Sequence, residues 1–205
     1  MGFYQSHVVP LLLHQAMKNR EATRQREQVV PAASGRVLEI GIGSGLNLPH
    51  YGAAVTSVTG LDPSTKLLAL ARKAGRERPF DITLLGGSAE AIPCEDRSFD
   101  TLLSSWALCS IPDLPTALQE MRRVLRPGGR LLFIEHGRAE DAPIAAWQSR
   151  LNPLWCRISG GCNIDRRIDR LIGDAGFSFT ALERGYLIKG PRLLTFSYRG
   201  EARLA

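Results

Sequence analysis

Cysteine is scarce in this 205-residue chain, and the four present (Cys94, Cys109, Cys156 and Cys162) show neither CxxC spacing nor a zinc pattern. Their spacing argues against a disulfide-stapled scaffold and reads as reduced thiols in a cytosolic protein. No metal-ligating cluster is evident along the sequence, so no metal is expected. Long apolar runs are missing as well. The stretch "VVPLLLHQAM" is broken by Pro10 and His14, is too short to span a bilayer, and lacks a signal-peptide cleavage pattern. Acidic residues are in deficit, 20 against 26 Lys and Arg, giving a net charge of +6. That balance suits acidic ligands or an anionic membrane surface, with a solvated arginine-rich face as the plainer cause. No basic run with interleaved aromatics accompanies it, which sets nucleic acid aside as a partner. Repeats and low-complexity linkers are absent, and the length fits a single domain with a full core.

What is present is an alternation of strands and helices. Val9, Leu12, Leu13 and Ala16 keep the spacing of one helical face, and a polar, arginine-rich continuation runs on to Pro31. Strands are expected at Arg36–Ile42, Ser57–Asp62, "DITLLGG", Phe99–Trp106 and Arg130–His136. Between them fall a helix at Ser64–Gly75, opened by a serine cap, and "DLPTALQEMRRVLRPGG", a helix stopped by Pro127-Gly128-Gly129. Such alternation implies an α/β fold, a parallel sheet with helices on both faces. From His136 to Asp165 the alternation lapses into a long aromatic and basic insertion, after which "DRRIDRLIGDAGF" reads as a helix. The tail reads as a hairpin of two strands turning at Lys189-Gly190-Pro191.

The segment "VLEIGIGSGLNL" carries Gly41, Gly43 and Gly45 at every second position directly after a buried strand. Glycines in a strand-to-helix turn allow positive φ and close approach of a ligand to the backbone. A dinucleotide fingerprint wants GxGxxG, whereas this loop reads GxGxG with Leu46 and Asn47 following. Glu39, two residues before the first glycine, is placed to hold the cationic amino group of a bound amino acid. Asp62, at the tip of the second strand, is placed to accept both hydroxyls of a ribose, which would serve a dinucleotide equally.

The segments "LEIGIGSG", "GLDPS", "GSAEAIPCEDRSFD" and "EMRRVLRPGGRLLFIEH" resemble the successive motifs of class I S-adenosylmethionine-dependent methyltransferases, over nearly the whole chain from Gly35. "LCSI", "FIEH" and "NPLWCRISGGCN" are most similar to the methyltransferase-like thiol methyltransferases and their bacterial relatives, some labelled phospholipid N-methyltransferases. The third motif is also similar to that of ubiquinone and menaquinone C-methyltransferases. The resemblance implies a Rossmann-like, seven-stranded sheet in the order 3-2-1-4-5-7-6, with strand seven antiparallel. It implies S-adenosylmethionine as cofactor, its methionine half skirted by Gly41, Gly43 and Gly45, with Asn47 just beyond. Asp62 is then expected on the ribose, Pro63 beside the adenine, Ser88, Ala89 and Glu90 around the adenine edge, and the Ser105 backbone at the methionine end. Ser88 departs from the aspartate common among relatives, although a serine oxygen still accepts a hydrogen bond.

Methyl transfer from a sulfonium is an in-line displacement, so the protein mainly aligns the acceptor and excludes water. A thiol, with a pKa near 8.5, is already partly thiolate near neutrality, whereas a phospholipid amine needs a base. Ligands gather at the carboxyl ends of parallel strands, which nominates Trp106 and Cys109 after strand four and Glu135 and His136 at the end of strand five. His136 is the candidate base or thiolate holder, or else a strand-end structural histidine; Glu135 is the candidate orienting group. Cys162 and Asn163 lie in the insertion, as gate, packing, or an inert buried thiol, and Trp147 is an acceptor platform or core. Tyr4, His7 and His14 complete the expected acceptor side, with His7, His14 and Lys18 on one helical stripe.

The organisation expected is a helical extension over residues 1–33, acting as a lid, and a methyltransferase domain over 34–205 with an insertion at about 138–164. The function expected is methyl transfer to a small molecule, a thiol first. Phosphatidylethanolamine N-methylation, quinone C-methylation and a non-catalytic cofactor-binding module are the alternatives. The location expected is cytoplasmic, with peripheral membrane contact through the amino-terminal helix as a further use.

Overall fold

The structure, a computed structural model, describes residues 14–204; the expected helical face at 9–13 lies outside them. Its seven strands are β1 (Gly35–Ile40), β2 (Val55–Asp62), β3 (Asp81–Gly86), β4 (Phe99–Ser105), β5 (Leu125–His136), β6 (Phe177–Gly185) and β7 (Ser197–Leu204). They form one sheet in the order β3-β2-β1-β4-β5-β7-β6. All neighbours pair in parallel except β7, which runs antiparallel to both β5 and β6. This is the expected order and sense. The helices are α1 (Arg20–Val29), α2 (Thr65–Gly75), α3 (Leu114–Val124), α4 (Ala142–Ile158), α5 (Ile168–Asp174) and the single turn α6 (Arg192–Thr195).

Val37, Leu38, Glu39 and Ile40 are all buried, as a central strand covered on both faces requires. Side-chain alternation sorts the core into two layers. Leu38, Ile40, Leu102 and Phe133 face Leu118 and Met121 of α3. Val37, Leu103, Leu132 and Ile134 face Val29 and Val30 at the end of α1. Among the described residues no helix is long and apolar enough to cross a membrane.

Four boundaries differ from expectation, each for a local reason. The arginine-rich stretch is a helix of its own, because the Asn19 side chain accepts the Ala22 N–H at 2.9 Å and caps a new start. Helix α3 stops at Val124, not at the Pro-Gly-Gly stop. Leu125 already pairs with Phe99, and the next pair is Thr101 with Arg130, so Arg126–Gly129 bulge out within β5. The lapse after strand five is largely helix: α4 carries Pro143 in its first turn and Pro153 inside, which masked its helical character in the sequence. The two tail strands do pair antiparallel, yet α6 stands between them in place of a tight turn at Lys189-Gly190-Pro191.

Candidate active site

The glycine loop leaves β1 beside the ends of β2 and β4. Gly41 has φ 67°, and a Cβ there would sit 2.5 Å from that of Ala107, so only glycine lets the loop pass the β4 exit. The Asp62 carboxylate ties the loop to β2, accepting the Gly43 N–H at 2.9 Å on Oδ2 and the Ser64 N–H at 2.8 Å on Oδ1. Burial raises its pKa, against the pull of those two amides. Each oxygen keeps a further lone pair for a ligand hydroxyl.

Glu39 is buried behind the loop. Its carboxylate accepts from Asn47 Nδ2 and from the Tyr51 hydroxyl, each at 2.7 Å, and burial lifts its pKa to about 7. Asn47 Nδ2 also donates to Ser105 Oγ at 2.8 Å, while Asn47 Oδ1 is buried without a partner. Glu39 is thus clasped within the protein, where the sequence suggested only a carboxylate facing a ligand. Arg26, 4% exposed, approaches from α1, its guanidinium 5.1 Å from the centre of the Trp106 ring and its Nε unpartnered. Burial lowers its pKa to about 10, with Glu39 opposing that shift. In the sequence Arg26 was one of a run of basic residues, and Tyr51 carried no signal at all.

The adenine-side candidates lie together: Ser88 is exposed and bonds the Glu90 carboxylate, which also accepts the Asp113 N–H at 3.0 Å. Ala89 is buried and Pro63 is exposed just beyond Asp62.

The β4 exit is organised by one side chain. Glu135, fully buried near the end of β5, accepts from Ser104 Oγ at 2.7 Å and from the Ala107, Leu108 and Cys109 N–H groups at 3.0, 3.1 and 3.3 Å. Burial raises its pKa while those donors hold it back. Trp106 enters that turn at φ 54°, a left-handed conformation uncommon for a bulky residue. Its ring lies 6.3 Å from that of His136.

Below this turn the fold gathers Cys109, His136 and Cys162. Cys162 Sγ is 4.0 Å from His136 Nδ1, and Cys109 is fully buried. The Cys109 and Cys162 sulfurs lie within 4.8 Å of each other, and Cys109 Sγ also approaches the Trp106 carbonyl at 3.6 Å. The neighbouring Cys109 thiol and then the His136 ring hold the Cys162 thiol below its ordinary value, while the Cys162 sulfur and burial push Cys109 up. Asn163 fastens the insertion to the turn: its backbone N–H and Nδ2 both donate to the Cys109 carbonyl, at 2.8 and 3.1 Å. Asn152 of α4 in turn donates to Asn163 Oδ1 at 3.1 Å.

The remaining acceptor-side candidates separate. His14 Nδ1 shares a hydrogen bond with Ser44 Oγ of the glycine loop. Tyr4 and His7 lie outside the described residues. Trp147 is 52% exposed on α4 with the Arg150 guanidinium over its ring, whereas Trp155 packs on the Cys109–Cys162 group.

Comparison with known proteins agrees with this arrangement. Residues 38–133 match the methyltransferase domain family. The chain is 35% identical over 160 residues to a phosphatidylethanolamine N-methyltransferase of Cereibacter sphaeroides, covering 77% of each chain. It is 34% identical over 188 residues to a human thiol S-methyltransferase, covering 86% of this chain and 76% of that one. The chain is a class I S-adenosylmethionine-dependent methyltransferase. The fold of this methyltransferase also matches an S-adenosylmethionine-dependent methyltransferase of Thermotoga maritima, a possible histamine N-methyltransferase, with TM-score 0.69 at 22% identity over 96% of this chain and 97% of that one. S-adenosylmethionine is accordingly the cofactor of the methyltransferase.

Proposed function

We propose that this methyltransferase methylates the sulfur of a small thiol. The observation that carries the reading is the state of Glu135. It is the carboxylate at the end of β5, fully buried with its two oxygens already accepting four hydrogen bonds from Ser104 and the Ala107–Cys109 amides, which argues against its taking a proton from an amine. A thiol makes the smaller demand, since it is already partly thiolate near neutrality, and His136 stands beside the Cys109–Cys162 pair at the same strand end. The human thiol S-methyltransferase relative supports the same acceptor class.

The residues present fit the cofactor. Asn47 Oδ1, buried and unpartnered, and the Glu39 carboxylate beside it suit an ammonium group, while Asp62 suits the ribose hydroxyls. S-adenosylmethionine supplies an electrophilic methyl group on a cationic sulfur, which departs as a neutral thioether. Glu135 acts as a positioning residue, fixing the Ala107–Cys109 backbone against which the acceptor lies, and Trp106 with α1 limits water. We take residues 1–33 as a lid, on the strength of the His14–Ser44 contact and of Arg26 under Trp106. Deleting Met1–Lys18 should leave a folded domain and slow single-turnover methyl transfer by about tenfold or more.

The deciding experiment is a panel of thiols, amines and quinols assayed by release of S-adenosylhomocysteine. Turnover with soluble thiols is expected, and methylation of phosphatidylethanolamine vesicles alone would overturn the reading. One observation favours that second acceptor. Trp147, Leu151, Leu154 and Ile158 form an exposed apolar row along one face of α4. Helix α4 has no acidic residue and carries exposed Arg150 and Arg157, which complements an anionic membrane surface. Under this second reading Leu154→Glu abolishes sedimentation with anionic vesicles and transfer to vesicle lipid together.

A further inference from the structure

Cys109, His136 and Cys162 come from three different places: the turn after β4, the end of β5 and the loop after α4. Their ligand-capable atoms lie within 4.8 Å of one another. In tetrahedral coordination by two thiolates and an imidazole, neighbouring ligand atoms stand roughly 3.5–3.8 Å apart, which follows from bond lengths of about 2.3 and 2.0 Å. The 4.0 Å between Cys162 Sγ and His136 Nδ1 is already close to that value, and the rest is reached by a contraction of about 1 Å or less. We propose that these three side chains form a binding site for a soft divalent cation of the zinc type, with a fourth position open to the sulfur of the acceptor.

The surroundings are those of a built site. Cys109 is held from the main chain, its N–H by Glu135 and its carbonyl by Asn163, so the sulfur is presented from a fixed backbone. Trp155, packed against the pair, has an indole N–H that is buried and without a partner. Such a donor suits a metal-bound thiolate, whose sulfur accepts hydrogen bonds from outside the coordination sphere. His136 is partly exposed while both sulfurs are buried, which leaves the approach from the imidazole side. Three protein ligands plus an open position is the arrangement of reactive zinc sites, whereas purely structural ones are closed by four. The spacing hid all of this, since His136 and Cys162 are 26 residues apart.

Position gives the site its chemistry. Ala107, two residues before Cys109, lies against Gly41 of the cofactor loop, so the open position neighbours the place where the methyl group is delivered. An acceptor R–SH coordinates as thiolate and its proton passes to water. Its sulfur then forms the S–CH₃ bond as the methyl–sulfonium bond breaks, with the electron pair staying on the departing sulfur. The cation is neither oxidised nor reduced, and the thioether product is the weaker ligand and exchanges for water. The occupant of the fourth position rests on the thiol reading; the three-ligand site does not.

The test titrates full-length, reduced, metal-stripped protein with Co²⁺, a spectroscopic stand-in for Zn²⁺. One equivalent is expected, with a thiolate-to-cobalt charge-transfer band and the intense visible bands of tetrahedral cobalt, both displaced by Zn²⁺. C109S, C162S and H136A should each weaken binding by about 100-fold or more, and Trp155→Phe by about tenfold. C94S and C156S should leave binding unchanged. A variant that misfolds is replaced by alkylation mapping of the parent protein, in which Zn²⁺ should protect Cys109 and Cys162 but not Cys94 or Cys156. Absence of the charge-transfer band, its survival in C109S or C162S, or a Cys109–Cys162 disulfide in place of metal uptake overturns the site. Adding a small thiol to the cobalt-loaded protein should shift the band. An unshifted band overturns the open-position assignment while the site stands. Thiol methylation at full rate by metal-free protein overturns the use of the cation in catalysis and leaves the thiol reading intact.

Discussion

The two ends of the site, cofactor and acceptor, sit on the same edge of the sheet and are built in opposite ways. The cofactor end is one strand–loop–strand unit from Glu39 to Asp62, locked by short contacts such as Gly43 to Asp62 and Asn47 to Glu39. The acceptor end is assembled from separate crossovers, with Asn163 reaching the carbonyl of Cys109 across 54 residues of chain. A unit closed largely within a few turns of chain, with Asn47 also tied to Ser105 of β4, depends little on how the later crossovers dock. A grouping drawn from β4, β5 and the α4 loop keeps its geometry only while all three stay docked. The difference suits the division of labour: a constant ligand is met by backbone and a variable one by side chains.

Breaking the acceptor end at its anchor should have the largest effect. Glu135→Ala leaves three main-chain N–H groups, two of them buried, and a buried hydroxyl without their acceptor. A loss of about 4 kcal/mol or more is expected, which for a chain of this size lowers Tm by roughly 8–16 °C in a thermal melt. Glu135→Gln should be milder. The corresponding break at the cofactor end is Asp62→Ala. It should weaken S-adenosylmethionine binding, read by calorimetry, by about 2–3 kcal/mol, or roughly 30–150-fold.

The pH dependence sharpens the comparison further. With its pKa raised to about 7, Glu39 is protonated in the free protein at lower pH, whereas an ammonium ligand favours the carboxylate. Cofactor affinity should therefore rise with pH, by up to about tenfold per unit, and level off above about 7. Glu39→Gln should flatten that profile. Stability should run the other way: between the ordinary carboxylate pKa of 4.5 and about 7 the native state binds the extra proton, so the free energy of unfolding falls as pH rises. The smallest effect should come from Trp147→Ala. With its ring half exposed, turnover on a soluble thiol should stay within about twofold and stability within about 0.5 kcal/mol.

The same contrast explains what the sequence could reveal. The strand–helix alternation and the glycine loop are written in contiguous patterns, so Gly41, Gly43, Gly45 and Asp62 were legible as a unit, while the strand order came from the family resemblance. Glu135 and His136 were visible as strand-end residues, but the four donors on Glu135 depend on a turn that no local pattern describes. Trp147 and Trp155 look alike in the sequence, and only the phase of α4, obscured by Pro153, sends one to solvent and the other to the thiols. Arg26 and Tyr51 reach Glu39 from outside the loop, and nothing in their neighbours announces it.

The place of β7 has a consequence for assembly. It follows β6 in the chain yet lies between β5 and β6 in the sheet, and among the described residues β6 pairs with no other strand. A folding chain can add β6 only once β7 is available to pair with β5, a non-local step of the kind that slows folding. Cys162 and Asn163 lie on the stretch between β5 and β6, so the far end of that stretch is anchored only when this pair docks. A nascent β1-to-β5 core should therefore have its cofactor loop, Cys109 and His136 early, while Cys162 joins them only when the closing strand is in place.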